Sequence, residues 1–201
     1  MPLISTRTSR PTDEQEIIEI CHLTGDLKID PYLLALRWCL DYLWHEPENC
    51  FVAERCDLEK VVGYIVGTLD TRQQEQRLLS IMLPKARDHW RKLSPKTFSQ
   101  WRGYLNMRGS FRNTVGSLIT EYPAHLHINV HPDFQRTGIG SRLFEAYENN
   151  LIQNSVKGYH LGVAGNNQTG ISFYEKQGLS KLSQYPRFGK PSVIYYGRKL
   201  D

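Results

Sequence analysis

No stretch of this 201-residue chain approaches the run of ~18 apolar residues that a membrane span needs. Its first ten residues, Met1 to Arg10, lack the apolar segment of a secretory signal. Cysteine is scarce: Cys21, Cys39, Cys50 and Cys56 all lie in the first third, and no two have the Cys-x-x-Cys spacing of a zinc ribbon or a redox pair. No metal site is expected, and the four thiols read as buried and free in a reducing compartment. Two nucleotide-binding patterns are missing as well, since neither Gly-x-Gly-x-x-Gly nor Gly-Lys-Ser/Thr occurs. These absences leave a soluble cytoplasmic protein as the expectation, with the nucleus as the other compartment.

What is present suits one domain over residues 1–201: 40% of residues are hydrophobic and 23% charged. The net charge of +4 is unevenly spread. Ten Lys or Arg stand between Thr71 and Arg112 against Glu75 and Asp88, so that segment is +8 and the remainder −4. Trp90, Phe98, Trp101, Tyr104 and Phe111 are scattered through it. Its apolar content is too sparse for a core of its own, so residues 71–123 read as a helical, basic insertion. A solvated helical face and a wall that attracts an anionic substrate both fit the charge. A nucleic-acid surface would call for a broader basic area with exposed aromatics.

The pattern along the chain alternates strands and helices. Ile4 to Arg7 reads as a strand, and Thr12 with Gln15 as a capping box opening a helix that stops near Gly25. Asp30-Pro31 opens a second helix, striped by Leu33, Leu36, Leu40 and Leu43 and ended near Pro47. Phe51 to Arg55 and Val61 to Leu69 form a hairpin. Residues 71 to about 92 read as helical, with a break or kink at Pro84 and a boundary at Ser94-Pro95. His125 to Val130 alternates as a strand. A helix carrying Leu143, Phe144, Tyr147 and Leu151 follows, then a strand at Tyr159 to Ala164. A helix from Asn167 is capped by Gly178, and the last strand is Val193 to Leu200.

The chemistry gathers where the strand ending at Val130 leads through Gln135-Arg136-Thr137-Gly138-Ile139-Gly140 into a helix. First-turn amides are unpaired and the helix dipole adds partial positive charge, so this is an anion-binding arrangement. Gly138 and Gly140 let a phosphate approach the backbone, and Arg136 and Thr137 can add side-chain donors.

Val130-x-Pro132-x-x-Gln135-Arg136-x-Gly138-x-Gly140, with Asn167 and Phe173-Tyr174-Glu175-Lys176-x-Gly178-Leu179 downstream, resembles the two cofactor motifs of the GNAT acetyltransferase superfamily. Further features narrow the likeness: Cys50 to Glu54, Gly63-Tyr64-x-x-Gly67-Thr68-Leu69-Asp70, Tyr122-Pro123 and Val193-Ile194-x-x-Gly197-Arg198-x-Leu200. Together they resemble the acetyltransferase-like C-terminal domain of O-GlcNAcase and its free-standing relatives. The animal domain has a degenerate pyrophosphate loop, whereas this chain keeps the glycines. The resemblance implies an α/β fold with a central mixed, twisted and splayed sheet flanked by helices, the insertion lying between the third and fourth strands.

It also implies acetyl-CoA as cosubstrate, held by Ile128, Val130, Gln135, Arg136, Thr137, Gly138, Ile139, Gly140, Ser141, Asn167 and Tyr174. The reaction implied is transfer of acetyl to a primary amine that the sequence does not identify. A domain that binds acetyl-CoA without turnover, or works through its basic insertion as an interaction module, is the alternative. By motif position the Val130 N–H would hold the developing oxyanion and Tyr174 would donate to the leaving thiolate. His127 is a candidate base because imidazole titrates near working pH. Asp70, where the family also has aspartate, is a candidate for orienting the amine or for capping the helix that follows. The acceptor is a small molecule or a protein; monomer and homodimer both fit.

Overall fold

The computed structural model describes residues 3–93, 116, 118–187 and 190–200. One seven-stranded sheet organises them. Its strands are β1 (Ile4–Thr8), β2 (Phe51–Arg55), β3 (Lys60–Thr68), β4 (Ala124–Val130), β5 (Gly158–Ala164), β6 (Ser180–Arg187) and β7 (Lys190–Lys199), in spatial order β1-β2-β3-β4-β5-β7-β6. Every neighbouring pair is antiparallel except β4 and β5, which are parallel.

Alternation along the strands sends side chains to two separate cores. The front core packs α1 (Glu14–Thr24), α2 (Pro31–Trp38), α3 (Leu40–His45), α4 (Thr71–Arg77) and α5 (Leu83–Leu93) on Val52, Tyr64 and Val66. After a short α6 (Leu118–Glu121), the back core packs α7 (Ile139–Gln153) on Ala53, Ile65 and Leu126, with α8 (Gln168–Lys176) beside it. Ile17, Leu33, Leu36, Leu143 and Leu151 are 0–1% exposed, and each side chain of this kind contributes roughly 1.5–3 kcal/mol on burial.

Local chemistry explains most element ends. Asp30 accepts from the Leu33 amide at 3.0 Å with Pro31 at the first helical position, as its sequence predicts. At the end of α8 the Gly178 N–H bonds the Glu175 carbonyl and the Leu179 N–H bonds the Tyr174 carbonyl, with Gly178 at φ +79°. That is a Schellman closure, which favours glycine at the left-handed position.

Four expectations change. Thr12 is not a cap: residues 11–13 form a 3₁₀ turn, and the Asp13 carboxylate accepts from the Arg10 amide at 2.7 Å while pairing with Arg7. The single helix expected after Asp30 is two, broken at Cys39, where φ −142° leaves the helical region. The Pro84 break is replaced by a π-turn, Leu78–Met82, whose Leu83 amide reaches back to the Leu78 carbonyl. The extra residue re-phases the helix just before the position that lacks an N–H. Finally, β6 was not expected and the last strand starts at Lys190, not Val193. The Ser94-Pro95 boundary, four of the scattered aromatics (Phe98, Trp101, Tyr104, Phe111) and four basic residues (Lys96, Arg102, Arg108, Arg112) lie outside the described residues.

Candidate active site

The sheet opens at its one parallel junction. β4 and β5 share only the rungs Ala124↔Tyr159 and His125↔His160, then part. The backbone of β4 beyond those rungs is paired on one side only. His131 donates to the Val62 carbonyl, and β4 keeps an unbroken register with β3 from Thr68↔His125 to Gly63↔Val130. Hydrogen bonding alternates along an antiparallel pair, so the amides of Asn129 and His127 also turn toward β3. The amides of Val130 and Ile128 therefore point the other way, into the wedge left by β5. Buried or half-buried donors of this kind call for a partner.

At the mouth of the wedge a 3₁₀ turn, Pro132–Phe134, leads into the loop ahead of α7. Two side chains expected to reach a ligand bond the loop itself instead. Gln135 Nε2 donates to the Val130 carbonyl at 3.1 Å, and Thr137 Oγ1 to the Phe134 carbonyl at 2.6 Å. They fix the loop. Arg136 is exposed and sits at φ +62°, an uncommon conformation for a side chain with a Cβ. Gly138 caps α7 at φ +83°, and a Cβ built there meets nothing within 4 Å. The first carbonyl to receive an amide of the helix is that of Gly138, from Arg142 at 3.2 Å. The N–H groups of Ile139, Gly140 and Ser141 thus have no carbonyl of the helix below them.

The two glycines do different work. A Cβ on Gly140 would sit 3.3 Å from the Phe173 ring, so this position is small to let α8 pack on α7. The Ile139 side chain is 1% exposed in the back core and offers only its amide. Ser141 Oγ accepts from Gln177, and Asn167 caps α8 by accepting from the Gly170 amide at 2.9 Å. Tyr174 stands on α8 against Phe173 and Tyr196, ring centroids 5.4 and 6.3 Å away. Among the described residues its hydroxyl has no hydrogen-bond partner. Burial pushes the phenol up to about 12, so it stays a donor.

The front of the wedge is built from side chains. His125 is wired: Thr71 Oγ1 donates to the Pro123 carbonyl at 2.6 Å and lies 2.7 Å from His125 Nδ1. With its hydrogen committed, Thr71 accepts from Nδ1–H. Nε2 then accepts from the Tyr42 hydroxyl, 2.6 Å away. Burial, then His160, His127 and the cations Arg37 and Arg77, hold His125 well below the usual histidine range. His127 is half-buried, edge-on to Trp38 at 4.9 Å and to Tyr42 at 5.7 Å. Burial, Arg37 and His160 push it down to about 3, so it is neutral at working pH. Asp70 caps α4, accepting from the Arg72 amide at 2.8 Å, which is the structural half of its expected roles. Arg37, Trp38, Tyr42, His160 and Tyr195 join this group from α2, α3, β5 and β7; no spacing in the sequence marks them as a set.

Three comparisons bear on this geometry. The family model described as "Acetyltransferase (GNAT) family" matches residues 17–179. A protein of Sodalis glossinidius named Acetyltransferase SG1711 is 36% identical over 66 residues. That match covers 31% of this chain and 46% of the relative, so the chain spans about half the length of the curated relative. Among solved structures, SsHAT superimposes at a TM-score of 0.82 with 25% identity, covering 98% of each chain. YncA of Salmonella typhimurium, a putative acetyltransferase solved with its cofactor acetyl-CoA, shares the fold. Its TM-score is 0.60 at 16% identity, over 99% of this chain and 95% of that one. Ard1 of Thermoplasma volcanium does likewise, at 0.64 and 18% over 98% of both. With a family model spanning most of its length and a mixed sheet whose one parallel pair, β4 and β5, parts after two rungs, the chain belongs to the acetyltransferase (GNAT) family.

Proposed function

We propose that this chain transfers the acetyl group of acetyl-CoA to a primary amine by direct attack on the thioester. The observation that carries the reading is a continuous row of backbone donors without protein partners. It runs from Ile128 and Val130 in the wedge to the amides ahead of α7, with open space in front of Gly138. Phosphates suit helix N-termini, and the amide-bearing arm of the same molecule suits a strand edge. Acetyl-CoA supplies, when bound, an activated acyl thioester.

The protein's own groups then have separate tasks. The Val130 N–H holds the negative charge that builds on the acyl oxygen. Tyr174 donates to the sulfur as it leaves. A phenol near 12 does not give its proton outright to a thiolate whose acid titrates near ~8.5, so Tyr174 acts by hydrogen bonding. His127, held neutral, accepts a hydrogen bond from the amine or its water, and an imidazole near 3 is too weak a base to deprotonate an ammonium unaided. The neutral fraction of the amine attacks, the C–N bond forms as the C–S bond breaks, and the proton lost from nitrogen passes through water to solvent. Asp70 belongs to this proposal through its place at the end of β3, where it fixes the first turn of α4 beside His125. Asn167 likewise shapes the entry to the helix that carries Tyr174.

The proposal treats residues 1–201 as one domain with 71–123 as an insertion, supported by a single sheet that takes strands from both sides of that segment. It places the chain among relatives of the O-GlcNAcase C-terminal domain, on the sequence features that resemble that domain. Four free cysteines support a reducing cytoplasm. No described helix is long and apolar enough to cross a membrane.

Calorimetry with acetyl-CoA, followed by amine-dependent release of CoA, tests the reading. Micromolar binding with turnover of at least one primary amine is expected. Absence of binding would end it, and binding without any amine-dependent release would leave only a sensing domain.

A further inference from the structure

Residues two apart on a strand share a face, so Asn129 stands with His127 on the front of β4. It is next in the chain to Val130, whose amide turns into the wedge. One arm of its carboxamide is held. Asn129 Nδ2 donates to the Tyr64 hydroxyl at 2.7 Å, and Tyr64 is the residue directly opposite on β3. The Cys21 sulfur lies beside the same hydroxyl and offers its hydrogen an acceptor, which leaves the phenol oxygen to accept from Asn129. Tyr64 and Cys21 are both buried, so the anchor belongs to the front core.

The other arm is open. The nitrogen arm reaches toward β3, so the oxygen arm diverges from that strand, and beyond the His125↔His160 rung β4 has no strand on its other flank. Among the described residues no group donates to Asn129 Oδ1, and the half-buried side chain keeps that atom from being sealed in the interior. A partly desolvated acceptor calls for a donor. A neutral primary amine brings two N–H donors and one lone pair. Neutral His127 accepts one hydrogen at one ring nitrogen. With the second hydrogen unheld, the nitrogen can turn and its lone pair leaves the line of attack. Asn129 Oδ1 is a second acceptor on the same face, nearer the Val130 amide.

We propose that Asn129 orients the acceptor, its Oδ1 taking the second N–H of a primary amine, and that Tyr64 is the positioning residue that keeps this oxygen turned from β3. The inference rests on the acetyl-transfer reading and deepens it, because such a site selects primary over secondary amines. A secondary amine has a single N–H. It satisfies one acceptor, leaves the other unpaired and brings a carbon against it, which is the costly kind of mismatch. Asn129 takes no proton: the nitrogen attacks with its own lone pair and the proton it loses goes to water.

The test offers the full chain acetyl-CoA with 2-phenylethylamine, 1,4-diaminobutane, Nα-acetyl-lysinamide or glucosamine, read as CoA released. The best of these is then set against its N-methyl counterpart. Wild type should favour the primary amine by about tenfold or more in kcat/KM. Asn129→Leu and Asn129→Ala both remove the oxygen. Each should lower kcat for the primary amine about tenfold and for the N-methyl amine much less, which brings the ratio to within about threefold. Asn129→Asp keeps an oxygen on each arm and should retain the preference. Tyr64→Phe frees the carboxamide and should lower kcat for the primary amine several-fold, with KM within about twofold. Acetyl-CoA calorimetry checks that each variant is folded. A merely structural Asn129 would slow both amines alike; that result, or a wild type that acetylates both equally well, overturns the proposal. No CoA release with any of these amines, or no acetyl-CoA binding by the wild type, is a different result: it defeats the acetyl-transfer reading, and this inference with it.

Discussion

The back of the wedge offers backbone and the front offers side chains. On the backbone side, the donors are amides of Ile128, Val130 and the residues leading into α7, positioned by register, by Gly138 at φ +83° and by loop side chains that bond inward. In front, the groups are Arg37, Trp38, Tyr42, His125, His127 and His160, contributed by four elements and held by ring stacking and a fixed hydrogen-bond chain. A backbone surface suits a ligand that never changes. A side-chain surface can be re-specified by substitution without disturbing the strand beneath it. This division suits the proposed arrangement of a constant acyl donor on one side and a particular acceptor on the other.

The sharpest way to break the comparison is Gly138→Asp, which adds a carboxylate where the amides converge and forces a Cβ into a left-handed conformation. Acetyl-CoA binding by calorimetry should be lost. Gly140→Ala, two residues on, should keep binding, because its Cβ meets the Phe173 ring at 3.3 Å on the helix-packing side. Equal loss in both variants would show that the loop works as a helix start and not as an amide cradle.

Tyr174→Phe comes next. Turnover should fall on the order of tenfold to a hundredfold, as for loss of one positioned proton donor, with acetyl-CoA affinity within about threefold of wild type. Unchanged kcat would remove Tyr174 from the chemistry.

The front face should show itself in acid. His125, His127 and His160 all titrate below their ordinary value in the fold, His127 down to about 3. Below about pH 6.5 the unfolded chain takes up protons at these positions and the folded chain does not. Stability therefore falls as pH drops below about 6.5, for His127 down to about 3, by up to about 1.4 kcal/mol per pH unit for that histidine. Tm at pH 7.5 and pH 5.5 measures this, and His127→Gln should flatten the slope. An unaltered slope would mean that His127 is protonated in the native state.

The smallest effect concerns the support of the front face. Asp30→Ala removes the cap of α2, which carries Arg37 and Trp38, and should cost about 1 kcal/mol by denaturant titration. If α2 is only a scaffold, acceptor kinetics should change little.

The same contrast governs how much could be read before folding. Gly138, Gly140, Asp30-Pro31 and Gly178 act on chain neighbours, so their pattern announces loop, cap and closure directly. The direction of the Val130 amide follows once strand order is known. The front cluster draws on Arg37 and Tyr195, 158 positions apart in the numbering, and only tertiary packing brings them together. β6 leaves little trace in the sequence because it is an outer strand that is mostly exposed from Ser180 to Pro186 and contains a proline, so it carries little apolar alternation. The bonds that Gln135 and Thr137 make within the loop, and the contact of Gly140 with Phe173, depend on tertiary geometry. Glycine spacing alone does not separate a ligand-facing site from a helix-facing one.

The strand order has a consequence for how the molecule is made. β7 follows the other six strands in the chain, yet it lies inside the sheet, between β5 and β6. During synthesis, the ribosome releases β5 with one flank still bare, and it stays bare until residues 190–199 have emerged and slipped in alongside. A chain stalled near residue 187 would expose an unpaired interior strand, a template for association with other unfinished copies.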